Sequence, residues 1–379
     1  MVQVTPIDAR TARPWTVRPA PPVPDTLDHP DVWAYAGLTE VSRRSTAAVW
    51  GWTDTWAPLP VRLPMLRPSP YGETAVWVAV EGDGRSADDV VGFASVYLPL
   101  TANETTAIHG VVVDPRHEGR GIGAALLAQV HDHAAAHGRT VLQAFSPHAP
   151  EPPAGPDALE PPTGSGRVPR HDRAVRLAQR HGYVLEQVAR ASVLELPGDA
   201  AGRARLRDEA RARAGEEYRT HTWLDDLPAD RLDDLALLWT RMSTDAPHGA
   251  VEQAEDPWDA DRVREHLERL RVSHQHVLMT VAEHVASGRL VAFSWLQVPT
   301  APVPFAFQED TLVLREHRGH ALGMLVKTVN LDAFTAMRPD ALRIHTWNAQ
   351  ENAHMLAINV AMGFRPSGVS AVWQRTTPA

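Results

Sequence analysis

The chain has 379 residues, 44% of them hydrophobic and 22% charged, which is ordinary for a globular protein and long enough for two domains. A formal net charge of -9 argues against a general polyanion partner such as nucleic acid, and the absence of cysteine excludes disulfides, thiolate metal sites and a cysteine nucleophile. No apolar run approaches the roughly eighteen residues of a membrane span, and residues 1–24 are rich in Pro and Arg without the apolar core of a signal peptide. A cytoplasmic protein without membrane contacts is therefore expected.

In chain order, an N-terminal arm over 1–30 precedes a first domain over 31–196. Residues 74–81 and 90–98 read as strands joined around Gly82-Asp-Gly84, and 108–113 as the next strand. A helix follows with Ile122, Leu126, Val130 and Ala134 on one stripe, closed by Gly138, and 140–145 returns as a strand. The Pro- and Gly-rich insert 147–169 reads as too flexible for a packed element. A short helix over 171–181 ends at Gly182-Tyr183, and a strand follows near 191–196.

Residues 197–216, rich in Arg, Asp and Glu, show no hydrophobic face and read as a solvated linker, helix or coil. The second domain, 217–379, repeats the order of the first. Strands are expected at 218–223, 277–283, 290–298, 305–314 and 342–347, and helices at 229–242, 263–270 and 352–362. Another helix carries Leu322, Val326, Val329 and Ala333 on one face. A repeat of this length marks a duplicated α+β domain rather than a solenoid.

One turn occurs in both halves. The first copy runs Val111-Val-Val113-Asp-Pro-Arg116-His-Glu-Gly119-Arg120-Gly121-Ile122-Gly123. The second runs Leu312-Val313-Leu-Arg-Glu316-His-Arg318-Gly319-His320-Ala321-Leu322-Gly323. A strand ends in a polar turn, small residues alternate, and a helix begins, so that backbone N–H groups and the helix dipole converge on an anion. The spacings G-x-G-x-G and G-x-A-x-G are neither the dinucleotide fingerprint nor a Walker loop.

The turn resembles the acyl-CoA loop of the GCN5-related N-acetyltransferase (GNAT) superfamily, R/Q-x-x-G-x-G/A. Arg116 to Gly121 fits it, while the second copy has Glu316 at the leading position and Arg318 before Gly319. The resemblance implies two tandem GNAT domains of α+β class, each a mixed sheet that splays beside the loop-bearing strand, with acetyl-CoA (or CoA) as cofactor. It implies cofactor contacts from Val111, Val113, Arg116, Gly119, Arg120, Gly121, Ile122 and Gly123. In the second half it implies them from Val313, Arg318, Gly319, His320, Ala321, Leu322, Gly323 and Asn352. The C-terminal half resembles a bacterial subgroup marked by Thr244-Asp-Ala-Pro247, His317-Arg-Gly319, Thr346-Trp-Asn348 and Gly363-Phe364. The tandem plan is similar to that of mycothiol synthase, and the composition to proteins of high-GC actinobacteria.

Acetyl transfer to an amine needs a base, oxyanion stabilisation and a proton for the leaving thiolate. Glu309 and Asp310 lie on the loop-bearing strand, where alternation lets only one face the acceptor, and Glu309 is favoured. The matching residue in the first half is His109, a second candidate base; either could instead be an ordinary sheet residue. Many GNATs carry a tyrosine four residues before the glycine that ends the last helix. Here those positions are Ala178 and Asn359, so Asn359 is expected to hydrogen-bond the sulfur or another part of CoA, with water or a side chain such as His354 as the acid. Asn352 suits a helix N-cap as well as a CoA contact. Lys327 reads as a solvated helix lysine rather than a phosphate contact, and Asp245 either as a substrate-ammonium ligand or as the turn before Pro247.

His131, His133 and His137 do not share one helix face, so no metal is expected, and the twelve tryptophans read as core and pocket wall. The expected function is N-acetylation of a primary amine of a small molecule by the C-terminal domain, with the N-terminal domain mainly binding CoA or structural. The alternatives are a non-catalytic acyl-CoA sensor, or an acyltransferase using another donor. Monomer and homodimer both stay open.

Overall fold

In the computed structural model, which describes residues 14–377, strands and helices alternate as the repeat predicts and segregate into two units. The first thirteen residues of the expected arm lie outside that range. The first unit holds the chain up to Val188, with 250–252 and the residues from Ser370 onward; the second holds 189–249 and 253–369.

In the first unit, β1 (Trp15–Pro19), within the expected arm, pairs antiparallel with β2 (Gly72–Glu81). Helix α1 (Val32–Trp50), absent from the sequence reading, buries Ala34, Tyr35, Leu38 and Val41 against Val76, Val78, Val80 and Phe93. Helix α2 (Leu59–Met65) follows. The sheet continues through β3 (Val90–Pro99) and β4 (Thr106–Val113), after which α3 (Ile122–Ala136) leads to β5 (Val141–His148), parallel to β4.

The insert expected to be unstructured is packed. Its strands β6 (Ala158–Leu159) and β7 (Val168–Pro169) pair, and Ala158 and Val168 are buried. Arg167 donates to the Pro152 carbonyl and Arg170 to the Pro156 and Ala158 carbonyls. The side chains thus serve carbonyls that a proline-rich backbone leaves without N–H partners. Helix α4 (Arg173–Arg180) and β8 (Val184–Glu195) follow.

The second unit takes in β8 from Ala189. The linker stretch takes the helical alternative as α5 (Ala200–Ala214), but it is not solvated throughout: Ala210 and Ala214 lie in the unit's core. Next come β9 (Tyr218–Leu224), α6 (Leu232–Asp245), α7 (Ala260–Val272), β10 (Gln275–His284), β11 (Arg289–Pro299) and β12 (Phe305–Val313). Then follow α8 (Leu322–Met337), β13 (Arg343–Ala349), α9 (Ala353–Met362) and β14 (Arg365–Thr376). The sheet order is β9-β10-β11-β12-β13, with β8 beyond β13. The residues of β14 from Ser370 belong to the first unit, where Trp373 Nε1 donates to Ser146 Oγ (2.8 Å).

Two features of the second sheet shape its site. Parallel pairing of β12 with β13 covers only Phe305–Phe307 against Arg343–His345, and the strands then diverge. On its other side β12 slips register with β11: Ser294 faces Thr311 and Leu296 faces Gln308, so Trp295 opposes both Glu309 and Asp310. This is a β-bulge. Gln308 Nε2 donates to the Trp295 carbonyl (2.8 Å) and to that of Glu309 (3.2 Å), serving groups the interrupted ladder leaves. In the first unit, β3 and β4 stay in register from Gly92–Val113 to Tyr97–Ile108.

Candidate functional site

A cavity of about 680 Å³ opens in the second unit between β12, the turn after it, and the start of α8, with α9 closing one side. The turn stands open. Gly319 has φ +92° and nothing within 4 Å of where a Cβ would project. Ala321 caps α8 with φ +58°, a left-handed conformation that Gly121 (φ +84°) occupies at the matching place in the first unit. That conformation strains an L-residue and holds the helix N-terminus against the cavity.

Two arginines attend the turn. Arg318 donates to the Val313 carbonyl (3.2 Å) and to Asp245 Oδ2 (2.7 Å), and Arg213 Nε, from α5, donates to the Gly319 carbonyl (2.9 Å). Asp245 has only 10% of its side chain exposed and faces Arg315 Nη2 at 3.8 Å as well. It anchors the loop and is not a free ammonium ligand, a correction that follows from its pairing with two arginines of the turn, Arg315 and Arg318.

Deeper in, Glu309 and Asp310 both line the cavity. Strand alternation predicts one; the bulge defeats it, because two successive residues oppose a single partner and the backbone turns locally. Burial, with Asp310 adding like charge, raises the Glu309 carboxyl to about 7. Burial raises Asp310 too, against the Trp295 indole N–H at 3.5 Å.

Several expected residues are placed differently. Asn359 is buried but does not line the cavity: its Nδ2 donates to Asn348 Oδ1 (2.6 Å), and Asn348 forms the wall. His320 turns away, its ring 5.2 Å from that of Tyr218. Val313, Ala321, Leu322 and Gly323 line the cavity, as do His354 and Asn352, the latter also capping α9 by accepting from Met355 N–H (3.2 Å). Lys327, read as a solvated lysine, is 2% exposed. Asn330, three residues on, donates to the Leu278 carbonyl of β10 (3.1 Å), and Lys327 Nζ stands 5.7 Å from the centre of the Phe364 ring, so this face of α8 is turned to the sheet.

The first loop is engaged with its own protein. Arg116 pairs with Asp114 (2.8 Å), Arg120 with Glu81 (2.6 Å), and Arg173 with Glu118 (2.8 Å). The Trp15 ring stands 3.9 Å from where a Cβ on Gly121 would project, and Leu177 3.4 Å from that of Gly123. Val111 and Val113 lie on β4 and Ile122 opens α3. His109, the other candidate base, is buried, with Nε2 bonded to Tyr183 Oη (2.7 Å). Burial, with His131 nearby, lowers it to about 3, so it stays neutral. Among the described residues no group of three His, Asp or Glu side chains is set to hold a metal ion, and no helix is long and apolar enough to cross a membrane.

The sequence pattern of the Acetyltransferase (GNAT) family matches residues 42–151. That stretch, under a third of the chain, lies within the first unit. No protein with a curated description matches it. Among solved structures it is similar to a tandem GNAT protein from the clavulanic acid biosynthesis pathway, with 24% identity and TM-score 0.69 over 97% of this chain and 100% of that one. It is also similar to a GCN5-related N-acetyltransferase from Sphaerobacter thermophilus, with 14% identity and TM-score 0.57 over 96% and 95%. A glucosamine N-acetyltransferase region of a fungal multi-domain β-N-acetylglucosaminidase is similar too, with 14% identity and TM-score 0.58 over 97% of this chain and 39% of that one. The fold is thus that of a tandem GNAT protein.

Three wall residues of the cavity escape a motif reading: Arg213, Asn348 and Lys327. Arg213 lies on the segment read as linker, where only the four-residue spacing of Ala210 and Ala214 signals a buried face. Asn348 falls one residue past the expected strand, within a motif that carries no role by itself.

Proposed function

We propose that the second unit binds acetyl-CoA and transfers its acetyl group to a primary amine of a small molecule, and that the first unit serves mainly as structure. The carrying observation is that the bulge on β12 delivers two recessed carboxylates into the cavity the anion-binding turn opens on. The residues fit the cofactor: an open turn at Gly319, cations at Arg213 and Arg318, and backbone on the splayed side of β12 outside the β13 ladder. The volume falls in the range of small-ligand sites.

Acetyl-CoA supplies the activated acetyl group as a thioester. Glu309 takes a proton from the acceptor ammonium, since only the neutral amine is a nucleophile. A carboxyl at about 7 is roughly half ionised at neutral pH and holds a proton far better than an exposed glutamate. Asp310, beside it, keeps that affinity high and adds negative potential for a cationic acceptor. The first unit's loop, tied to its own acids and to Trp15, and its neutral His109 support the division of labour.

Calorimetry with acetyl-CoA, together with CoA release over a panel of amines, tests this reading. One binding site with turnover on a small amine is expected. Two equivalent sites overturn the division of roles, and tight binding without turnover on any amine replaces the enzyme by an acyl-CoA sensor.

A further inference from the structure

Helix α8 carries a charge where its counterpart in the first unit carries none. Lys327 follows Gly323 by four residues, the place Leu127 holds after Gly123. Leu127 is ordinary core, 3% exposed, and Lys327 is as deeply buried at 2%. Packing alone is therefore met by leucine at this position of the helix. An ammonium there bears a desolvation cost that a carboxylate partner would normally offset. Among the described residues Lys327 forms no ion pair; its Nζ sits 5.7 Å from the centre of the Phe364 ring, and the residue forms part of the cavity wall. Burial lowers its pKa to about 7.

The depth matches that of the carboxylates. Strand β12 runs up to the turn and α8 runs back from it. Lys327 lies about 8 Å beyond the start of α8 by the helical rise, and Glu309 and Asp310 about 10–13 Å before Val313 by the strand rise. The other ionisable groups of the wall are Arg213 from α5, Asp245 from α6, Arg318 in the turn and His354 on α9. Arg318 and Asp245 pair with each other. Among the described residues none of the cavity's carboxylates pairs with Lys327, which is the condition for meeting an anion that exists only during turnover.

We propose that Lys327 is the proton donor to the sulfur that departs when the acyl group is transferred. This rests on the acyl-CoA reading above. The neutral acceptor nitrogen, having given its proton to Glu309, attacks the thioester carbonyl carbon. A C–N bond forms, the C–S bond breaks, and its electron pair goes to sulfur. One Nζ–H proton of Lys327 passes to the sulfur to give the CoA thiol, and the neutral lysine regains a proton from water. The proton left on the new amide nitrogen's cationic precursor goes to solvent.

The test is a titration of bound CoA. The thiol of CoA is followed by thiolate absorbance against pH, free and bound to the wild type, Lys327→Leu and Lys327→Met, with calorimetry establishing saturation. Leucine already stands at the matching core position, and methionine tests a second packing. In the wild-type complex the thiol should ionise at least about one pH unit lower than in either variant, a tenfold change in acid constant. In the variants kcat should fall about 10²–10³-fold with KM for acetyl-CoA nearly unchanged. Bound CoA that titrates alike in wild type and variants overturns the assignment of Lys327 alone. Failure of the wild type to bind CoA overturns it together with the acyl-CoA reading.

Discussion

Replacing Glu309 by Gln removes the charge while keeping the shape, and the consequence can be worked through in pH. With its carboxyl raised from 4.5 to about 7, Glu309 is roughly 10% ionised at pH 6 and 90% at pH 8. As the base it must be ionised, so kcat/KM should rise about tenfold per pH unit below 7 and level off above it. Glu309→Gln should lower kcat by about 10²–10⁴-fold, some 3–5 kcal/mol of barrier, and abolish that limb. Asp310→Asn should move the limb to lower pH, because a like charge beside Glu309 is gone, yet leave it above 4.5, because burial is the larger cause. Stability supplies a control with the opposite sense. A carboxyl whose folded pKa is raised stabilises the protein below about 4.5 and loses that contribution as pH rises towards 7, so Glu309→Gln should be no less stable than wild type at pH 8. Stopped assays of CoA release across pH 5.5–9 with an excess of amine (about 0.5-unit steps) read the profile. A Glu309→Gln enzyme that keeps both turnover and limb refutes the assignment, as does a limb that moves upward in Asp310→Asn.

Three further outcomes follow from named contacts. Ala321→Gly removes the strain of an L-residue at φ +58°, about 1–2 kcal/mol, and gives back part through unfolded-chain entropy; a net gain of about 0.5–1 kcal/mol in denaturant unfolding is expected, and a loss contradicts the strain. Asp245→Asn releases Arg318 from its 2.7 Å ion pair and should weaken acetyl-CoA binding by about five- to thirtyfold in calorimetry without lowering kcat at saturation; tighter binding argues against an anchoring role. Tyr183→Phe leaves His109 and His131 without their shared hydroxyl and should cost about 1–3 kcal/mol of stability while turnover per folded molecule stays constant; lost turnover would return the first unit to the chemistry.

How far the site was legible differs residue by residue. The turn after β12 could be read because glycine and alanine spacing expresses backbone conformation directly, and Gly319 and Ala321 do adopt positive φ. Asn352 could be read because an N-cap is a local geometry, and its Oδ1 does accept from Met355. Glu309 with Asp310 was half legible. Their strand and their chemistry are local, but the bulge arises from register against β11, and Trp295 gives no hint of opposing two residues. Lys327 was misread because a single helix shows which residues share a face, not how many faces are covered. The cover comes from β10, whose Leu278 carbonyl takes the Asn330 side chain, and from Phe364, which stands by the Lys327 ammonium.

By itself the sequence determined the alternation of strands and helices, their duplication, the two glycine-spaced turns and the GNAT resemblance, because each rests on patterns within one element or one turn. Tertiary structure decided the rest. It alone assigns the end of β14 to the first unit and β8 from Ala189 to the second, since backbone hydrogen bonds that join strands are indifferent to side-chain identity. It alone turns Asp245 into a partner of Arg318, seals His109 against Tyr183, and leaves Lys327 buried without an ion pair. Charge, protonation and access are properties of an environment, and residues distant in the chain make that environment.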